Sequence, residues 1–65
     1  MTDIKVHIAG AGDTMNPSNH GFVIYAEWHC RGDNGEPVTI TQLLEYTDTL
    51  ALADDFKARW TDALN

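Results

Sequence analysis

The sequence predicts an α+β fold, in which a three-stranded antiparallel meander is packed on one face by a C-terminal helix (β-β-β-α). Three observations predict it. Apolar and polar residues alternate with the period of two that half-buried strands show, an Asn-Gly pair separates two such segments as in a hairpin, and the C-terminal segment repeats apolar residues at a helical spacing. Residues 1–65 are expected to form one small domain.

The first two strands follow from this alternation. The first is predicted from Ile4 to Ala11, and residues 13–19 then supply turn formers. The second is predicted from Gly21 to Arg31, a segment dense in aromatic and β-branched residues. One of its faces is expected to point to the core, and it consists of Phe22, Ile24, Ala26, Trp28 and Cys30. The other face consists of Val23, Tyr25, Glu27, His29 and Arg31.

The third strand is predicted to begin at Val38, after Pro37, and to end near Tyr46. The segment is ambiguous, because several of its residues also fit the spacing of a short helix, namely Ile40, Leu43, Leu44 and Thr47. Its β-branched start favours the strand.

The C-terminal segment is predicted to be an amphipathic helix. Its N-cap candidates are Thr47, Asp48 and Thr49. A stripe in steps of four is expected to face the sheet, and it consists of Leu52, Phe56, Trp60 and Leu64, widened by Ala53 and Ala63. The predicted core combines the apolar faces of all four elements: Ile4, Val6, Ile8, Phe22, Ile24, Trp28, Val38, Ile40, Leu44, Leu52, Phe56, Trp60 and Leu64.

The composition favours a cytoplasmic protein. Hydrophobic residues make up 43% of the chain, which is enough for a folded core. The single cysteine, Cys30, cannot form an intramolecular disulfide, and a lone thiol fits a reducing compartment. No signal peptide or membrane-spanning segment is expected, because the apolar runs are too short.

The charge balance indicates the class of partner. Ten acidic residues against four basic ones give a net charge of -6. Direct binding to nucleic acid or to an anionic membrane depends on Lys and Arg, so neither is expected. A basic protein surface is the complementary partner, while the alternative interpretation is that the acidity serves solubility alone.

No catalytic residue, metal site or cofactor is predicted, and the protein is not expected to be an enzyme. His29 and Cys30 are adjacent on a strand and therefore point to opposite faces, where Cys30 is expected to pack as a small apolar residue. No Cys-x-x-Cys pair is present to form a zinc site. Gly10 and Gly12 follow a strand, but turn residues replace the helix that a dinucleotide-binding turn requires.

Two surfaces are candidates for binding a partner. Asp48, Asp55 and Asp62 are spaced by seven, which predicts an acidic line on the solvent side of the helix, partly neutralised by Arg59. The alternative is that these acids form an ordinary solvated helix face with no role in binding. Other acids are expected to extend this surface over loops and sheet: Glu27, Asp33, Glu36 and Glu45.

The second candidate is the uncovered face of the sheet. Val23, Tyr25 and His29 are expected there, and with Leu43 they would form a modest apolar patch. Two strand edges are also expected to be free for pairing. Either feature would suit a partner protein or a second copy of the chain.

In its compact β-β-β-α pattern and in the acids Asp48, Asp55 and Asp62, the chain resembles small phage-encoded inhibitors of bacterial defence, among them anti-CRISPR proteins. The resemblance implies nucleic-acid mimicry, in which a monomer or weak homodimer blocks the basic nucleic-acid-binding surface of an effector in the bacterial host cytoplasm. The alternative is a small accessory or antitoxin-like subunit that binds through the apolar sheet face or a strand edge.

Overall fold

The described part of the chain consists of three strands and one helix. The structure, a computed structural model, describes residues 3–65. The elements are β1 (Lys5–Ala9), β2 (Phe22–Arg31), β3 (Pro37–Thr47) and α1 (Leu50–Leu64). The strands form one antiparallel sheet in the order β1-β2-β3. The predicted α+β fold is therefore confirmed.

The ambiguous third segment is a strand, and a β-bulge explains its mixed pattern. Ile24 on β2 pairs with Glu45, whereas the next residue, Tyr25, pairs with Leu43, so that Leu44 is the extra residue of β3. Leu44 packs against the core, while Leu43 remains 59% exposed on the other face. The two adjacent leucines therefore serve different faces, which no strict period of two predicts.

A loop between β1 and β2 is organised around one buried asparagine. β1 ends at Ala9, two residues earlier than predicted, and Asn16 in the following loop is only 2% exposed. The Asn16 Nδ2 donates to the carbonyl oxygens of Ala9 (3.2 Å) and Gly21 (3.1 Å). Its Oδ1 accepts a hydrogen bond from the Ser18 hydroxyl at 2.6 Å. Asn16 therefore joins the end of β1 to the residue that precedes β2.

The core is smaller than the predicted one. Its centre is formed by Val6, Ile24 and Ala53, which are each at most 6% exposed. Partly buried residues surround this centre, and they are Ile8, Phe22, Leu44, Phe56, Trp60 and Leu64. Five residues of the predicted core lie outside this cluster: Ile4, Trp28, Val38, Ile40 and Leu52.

The helix faces the sheet through most of the predicted stripe, because Phe56, Trp60 and Leu64 pack against the core and Leu52 does not. α1 begins after the N-cap residue Thr49, whose hydroxyl accepts the Leu52 amide at 3.3 Å. Ala53 is fully buried, whereas Leu52 is 51% exposed. At about 100° per residue, Phe56 and Trp60 share a face with Ala53, and Leu52 lies about 100° to one side of it. The assignment of Leu52 to the core is therefore wrong, because the small Ala53 is the residue that packs against the sheet.

Part of the sheet projects beyond β1. β1 pairs with β2 only between Val23 and Glu27, so residues 28–31 of β2 and 37–40 of β3 form a two-stranded extension, here called the arm. Trp28 pairs with Ile40, and Cys30 pairs with Val38. These residues are on the helix side of the sheet, because Trp28 and Cys30 follow the buried Ala26 by two and four positions and every second side chain of a strand points to the same face. Their partners Ile40 and Val38 lie on that face with them. Trp28, Val38 and Ile40 are only half-buried because the core cluster does not extend to the arm.

Candidate protein-binding surfaces

The outward side of α1 carries an acidic surface. Asp55 and Asp62 lie about 200° and 180° around the helix from the buried Ala53, so both point away from the sheet. Asp54 is exposed beside them. The Arg59 Nε lies 3.1 Å from the Asp55 Oδ2, and both side chains are largely solvated. We call Asp54, Asp55, Asp62 and Arg59 the acidic helix face, and an exposed pair of this kind contributes about 0.5 kcal/mol or less.

Asp48 does not continue this face. It lies in the bend before α1, because Thr49 is the N-cap and the helix begins at Leu50. The Asp48 Oδ1 accepts a hydrogen bond from the hydroxyl of Tyr46 at 3.1 Å. The prediction of a helical line through Asp48, Asp55 and Asp62 is therefore wrong for its first member.

The other predicted acids are divided among separate places. Glu45 lies beside the helix, in a groove of about 260 Å³ that it lines together with Phe56, Arg59, Trp60 and Ala63. Asp33 and Glu36 are exposed in the loop at the end of the arm. Glu27 pairs with Lys5 of β1 on the opposite side of the sheet. These four acids were expected to extend the acidic surface of the helix, but the fold places them apart from one another.

The sheet face opposite the helix has a different character. His7 lies across from Tyr25 on the neighbouring strand, with ring centroids 5.1 Å apart and planes tilted by 34°. The His7 Nε2 is 3.1 Å from the Glu27 Oε1, so this acid already has a local partner. Tyr25 in turn pairs with the exposed Leu43 of β3. We call this side, which includes His7, Tyr25, Glu27 and Leu43, the open sheet face, and on it the apolar and aromatic side chains that were predicted lie beside an ionisable pair.

A hydrogen-bonded chain at the edge of the open sheet face was missed by the sequence analysis. The Tyr46 hydroxyl donates to Asp48 and lies within hydrogen-bond distance, 2.9 Å, of the His20 Nδ1. Gly21, with a φ of 78°, allows the contact, because a Cβ there would overlap the Tyr46 ring. His20 and Tyr46 are 26 residues apart, and no local pattern predicts their contact.

Desolvation, and then the hydrogen bond and negative charge of Asp48, raise the pKa of Tyr46 above its ordinary value of 10.0. The neutral phenol is favoured in the folded state, so its contribution to stability is complete below pH 10 and is lost as the pH rises through the raised pKa. We expect Asp48→Asn to lower this pKa, since it removes the charge. Tyrosinate absorbance during an alkaline titration measures it, in a Tyr25→Phe background that leaves Tyr46 as the sole tyrosine.

Asp33→Asn is the matched control, since it removes the same charge from the distant arm loop. We expect it to leave the titration of Tyr46 unchanged. An identical midpoint for the two asparagine variants would contradict the contact between Tyr46 and Asp48.

Other chemistry is sparse in the described chain. Within residues 3–65, no three His, Cys, Asp or Glu side chains are grouped so that they could hold a metal ion. Cys30 is exposed, so its predicted packing as an apolar residue is wrong, and it lies near the end of the arm where little can cover it. No helix in this part of the chain is long and apolar enough to cross a membrane.

Comparisons with protein-family models, with curated proteins and with solved structures gave no match for this chain.

Proposed function

We propose that the protein acts by binding another protein and not by catalysis, and that its acidic helix face docks on a basic, nucleic-acid-binding surface of an effector and inhibits it. The observation that supports this proposal is the position of exposed carboxylates on α1, those of Asp55 and Asp62 on the side away from the sheet and that of Asp54 on its flank. Arg59, which pairs with Asp55, is the single base among them.

The spacing of the helix acids suits a site that normally holds phosphates. Asp55 and Asp62 are separated by seven residues, which is ~10.5 Å along a helix axis. Phosphates of one DNA strand follow each other at about 3.4 Å along the duplex axis, so the two carboxylates span about three such steps. Phe56 and Trp60 fix the helix to the core, and a rigid surface loses less entropy on binding than a mobile one.

The net charge of -6 supports the same mode of binding. It accelerates encounter with a basic surface over roughly a Debye length, about 8 Å at physiological ionic strength, and this attraction weakens as salt is added. Inhibition would follow because the bound protein occupies the surface that the nucleic acid needs. This mode belongs to an anti-defence inhibitor of the anti-CRISPR type.

Capture of partners from a bacterial lysate tests the proposal. Immobilised wild-type chain is compared with Asp55→Lys/Asp62→Lys, which changes the net charge from -6 to -2 because each substitution adds two units. We expect the wild type to retain a nucleic-acid-binding protein that salt elutes, and the double variant to bind it about tenfold more weakly, ~1.4 kcal/mol.

The matched control is Asp33→Lys/Glu36→Lys, which makes the same charge change on the arm loop. We expect it to retain the partner, since that loop lies outside the acidic helix face. Equal losses in the two double variants would show that net charge alone acts, and a partner indifferent to both variants and to salt would contradict the proposal.

One observation favours the alternative, an accessory or antitoxin-like subunit that binds through the sheet. Leu43 is 59% exposed and Tyr46 47% exposed on the open sheet face, where Tyr25 lies beside Leu43. A partner held there would be retained at high salt, because apolar contacts do not depend on screening. The salt dependence of the capture therefore distinguishes the two functions.

A further inference from the structure

The two edges of the sheet are protected to different degrees. The edge formed by β1 has only five residues and begins with Lys5. The edge formed by β3 has eleven residues, and the segment between Pro37 and Glu45 contains no ionisable side chain. Natural proteins protect edge strands by keeping them short or by placing lysines on them. β3 lacks both features. Because β3 pairs only with β2, the backbone groups along its other side are free.

On the helix side of the sheet, two features lie beside this edge: the arm and the groove between Glu45 and α1. The arm presents half-buried apolar residues there, including Val38 and Ile40, and a two-stranded arm has little stability of its own in water. Further along β3, the groove between Glu45 and α1 is lined by Phe56 and Trp60. One end of β3 thus carries an apolar protrusion, and the other end lies beside a groove in which Phe56 and Trp60 are flanked by Glu45 and Arg59.

We propose that β3 pairs antiparallel with β3 of a second copy of this chain, around a two-fold axis near Thr41, to form a six-stranded sheet. Antiparallel pairing about that residue places Val38 of each copy beside Leu44 of the other. Each arm then covers the groove of the second copy. The contact is self-complementary, because the same protrusion and the same groove are used twice.

The charge distribution permits a second copy to approach here despite the acidity of the chain. Val38–Leu44 is uncharged, so the residues nearest the axis place no acid against an acid. Acids flank this strip, because Glu36 is exposed beside Pro37 at one end and Glu45 follows Leu44 at the other. Two acidic molecules would therefore meet along a strip that is neutral at its centre, while at its two ends Glu36 of one copy approaches Glu45 of the other.

The size of the contact also calls for both features. A standard interface buries about 800 Å² on each partner, which is roughly a sixth of the 4616 Å² surface of this chain. Paired backbone alone is a narrow contact. Val38, which this pairing places beside Leu44 and next to the groove lined by Phe56 and Trp60, supplies the additional apolar area.

The dimer would also arrange the helices. A two-fold axis perpendicular to the sheet leaves both copies of α1 on the same side, with the middle strands three spacings, about 14 Å, apart. A helix is about 10 Å wide, so the two helices would be near neighbours and their acidic helix faces would form one broader surface. The dimer does not rest on the proposed function, because self-pairing needs no basic partner.

Sedimentation velocity of the full chain, from micromolar to millimolar concentration, tests the dimer. We expect the mass to rise from 7.2 kDa to twice that value. Val38→Glu should weaken the association at least tenfold, because by symmetry two carboxylates then face Leu44 and the nearby Glu45. Thr14→Glu, an exposed loop residue, adds the same charge away from the edge and should leave the dimer intact.

Amide hydrogen exchange provides a second measurement on the unmodified protein. The free amides of residues 38–43 should exchange more slowly as the concentration of the chain rises, and this holds even if Val38→Glu fails to fold. A wild type that remains at 7.2 kDa, or a dimer without that concentration-dependent protection, would overturn the proposal. Capture of a basic partner by monomeric Val38→Glu would leave the proposed function intact while the dimer fails.

Discussion

Ile24→Ala is expected to lower the free energy of unfolding by about 3 kcal/mol, within the usual range for deletion of a buried isoleucine. Ile24 has no exposed surface and forms the centre of the core with Val6 and Ala53. A domain of this length has a total stability of roughly 3–10 kcal/mol. The substitution should therefore remove a large share of it, and a substantial fraction of the variant would be unfolded at 37 °C if the wild type lies at the lower end (about 3 kcal/mol).

Denaturant unfolding followed by circular dichroism measures the effect. Leu52→Ala is the matched control, because the sequence predicts Leu52 in the core whereas the structure leaves it 51% exposed. We expect this second variant to lose less than about 1 kcal/mol. Equal losses for the two variants would mean that Leu52, and not Ala53, faces the sheet.

Asn16→Ala is expected to lower the free energy of unfolding by about 2–3 kcal/mol, because buried polar groups lose their hydrogen bonds. The Asn16 side chain donates to the carbonyl oxygens of Ala9 and Gly21 and accepts from the hydroxyl of Ser18. Without it, the Ala9 and Gly21 carbonyls lose these donors. The loop between β1 and β2 should also become more susceptible to proteolysis.

Asn19→Ala is the control for this loop, because Asn19 is exposed and belongs to the same segment as Asn16. We expect its unfolding free energy to remain within about 0.5 kcal/mol of the wild type. A similar small change for Asn16→Ala would show that the loop does not depend on the buried amide. Denaturant unfolding and limited proteolysis, applied to both variants, distinguish these outcomes.

Much of the architecture could be predicted from local patterns. The alternation in β2 placed Ile24 on the core face and Tyr25 on the open sheet face, and both positions are confirmed. Alternation is reliable because successive side chains of a strand must point to opposite sides. The strand interpretation of the third segment is also confirmed, since β-branched residues at its start favour an extended backbone.

The candidate surfaces were predicted less completely. Asp55 and Asp62 lie on the outward side of α1 as expected, but Asp48 lies before the helix and bonds to Tyr46. The first turn of a helix depends on which residue caps it, and three adjacent candidates fitted equally well. Glu45 was expected on an exposed acidic surface, yet it lines the groove beside α1, because the bulge at Leu44 changes which residues of β3 face the helix.

The order of the elements, the two faces of β2 and the acidity of the chain could be predicted without the structure, because each depends on residue type or on a period along the chain. The exclusion of Leu52 from the core and the position of Trp28 on an arm outside it follow from the packing of the whole fold. Both outcomes depend on how closely the helix approaches the sheet and how far β1 extends along β2. Those distances are set by packing between segments that are remote in the chain, so the local periodicity of the sequence does not predict them.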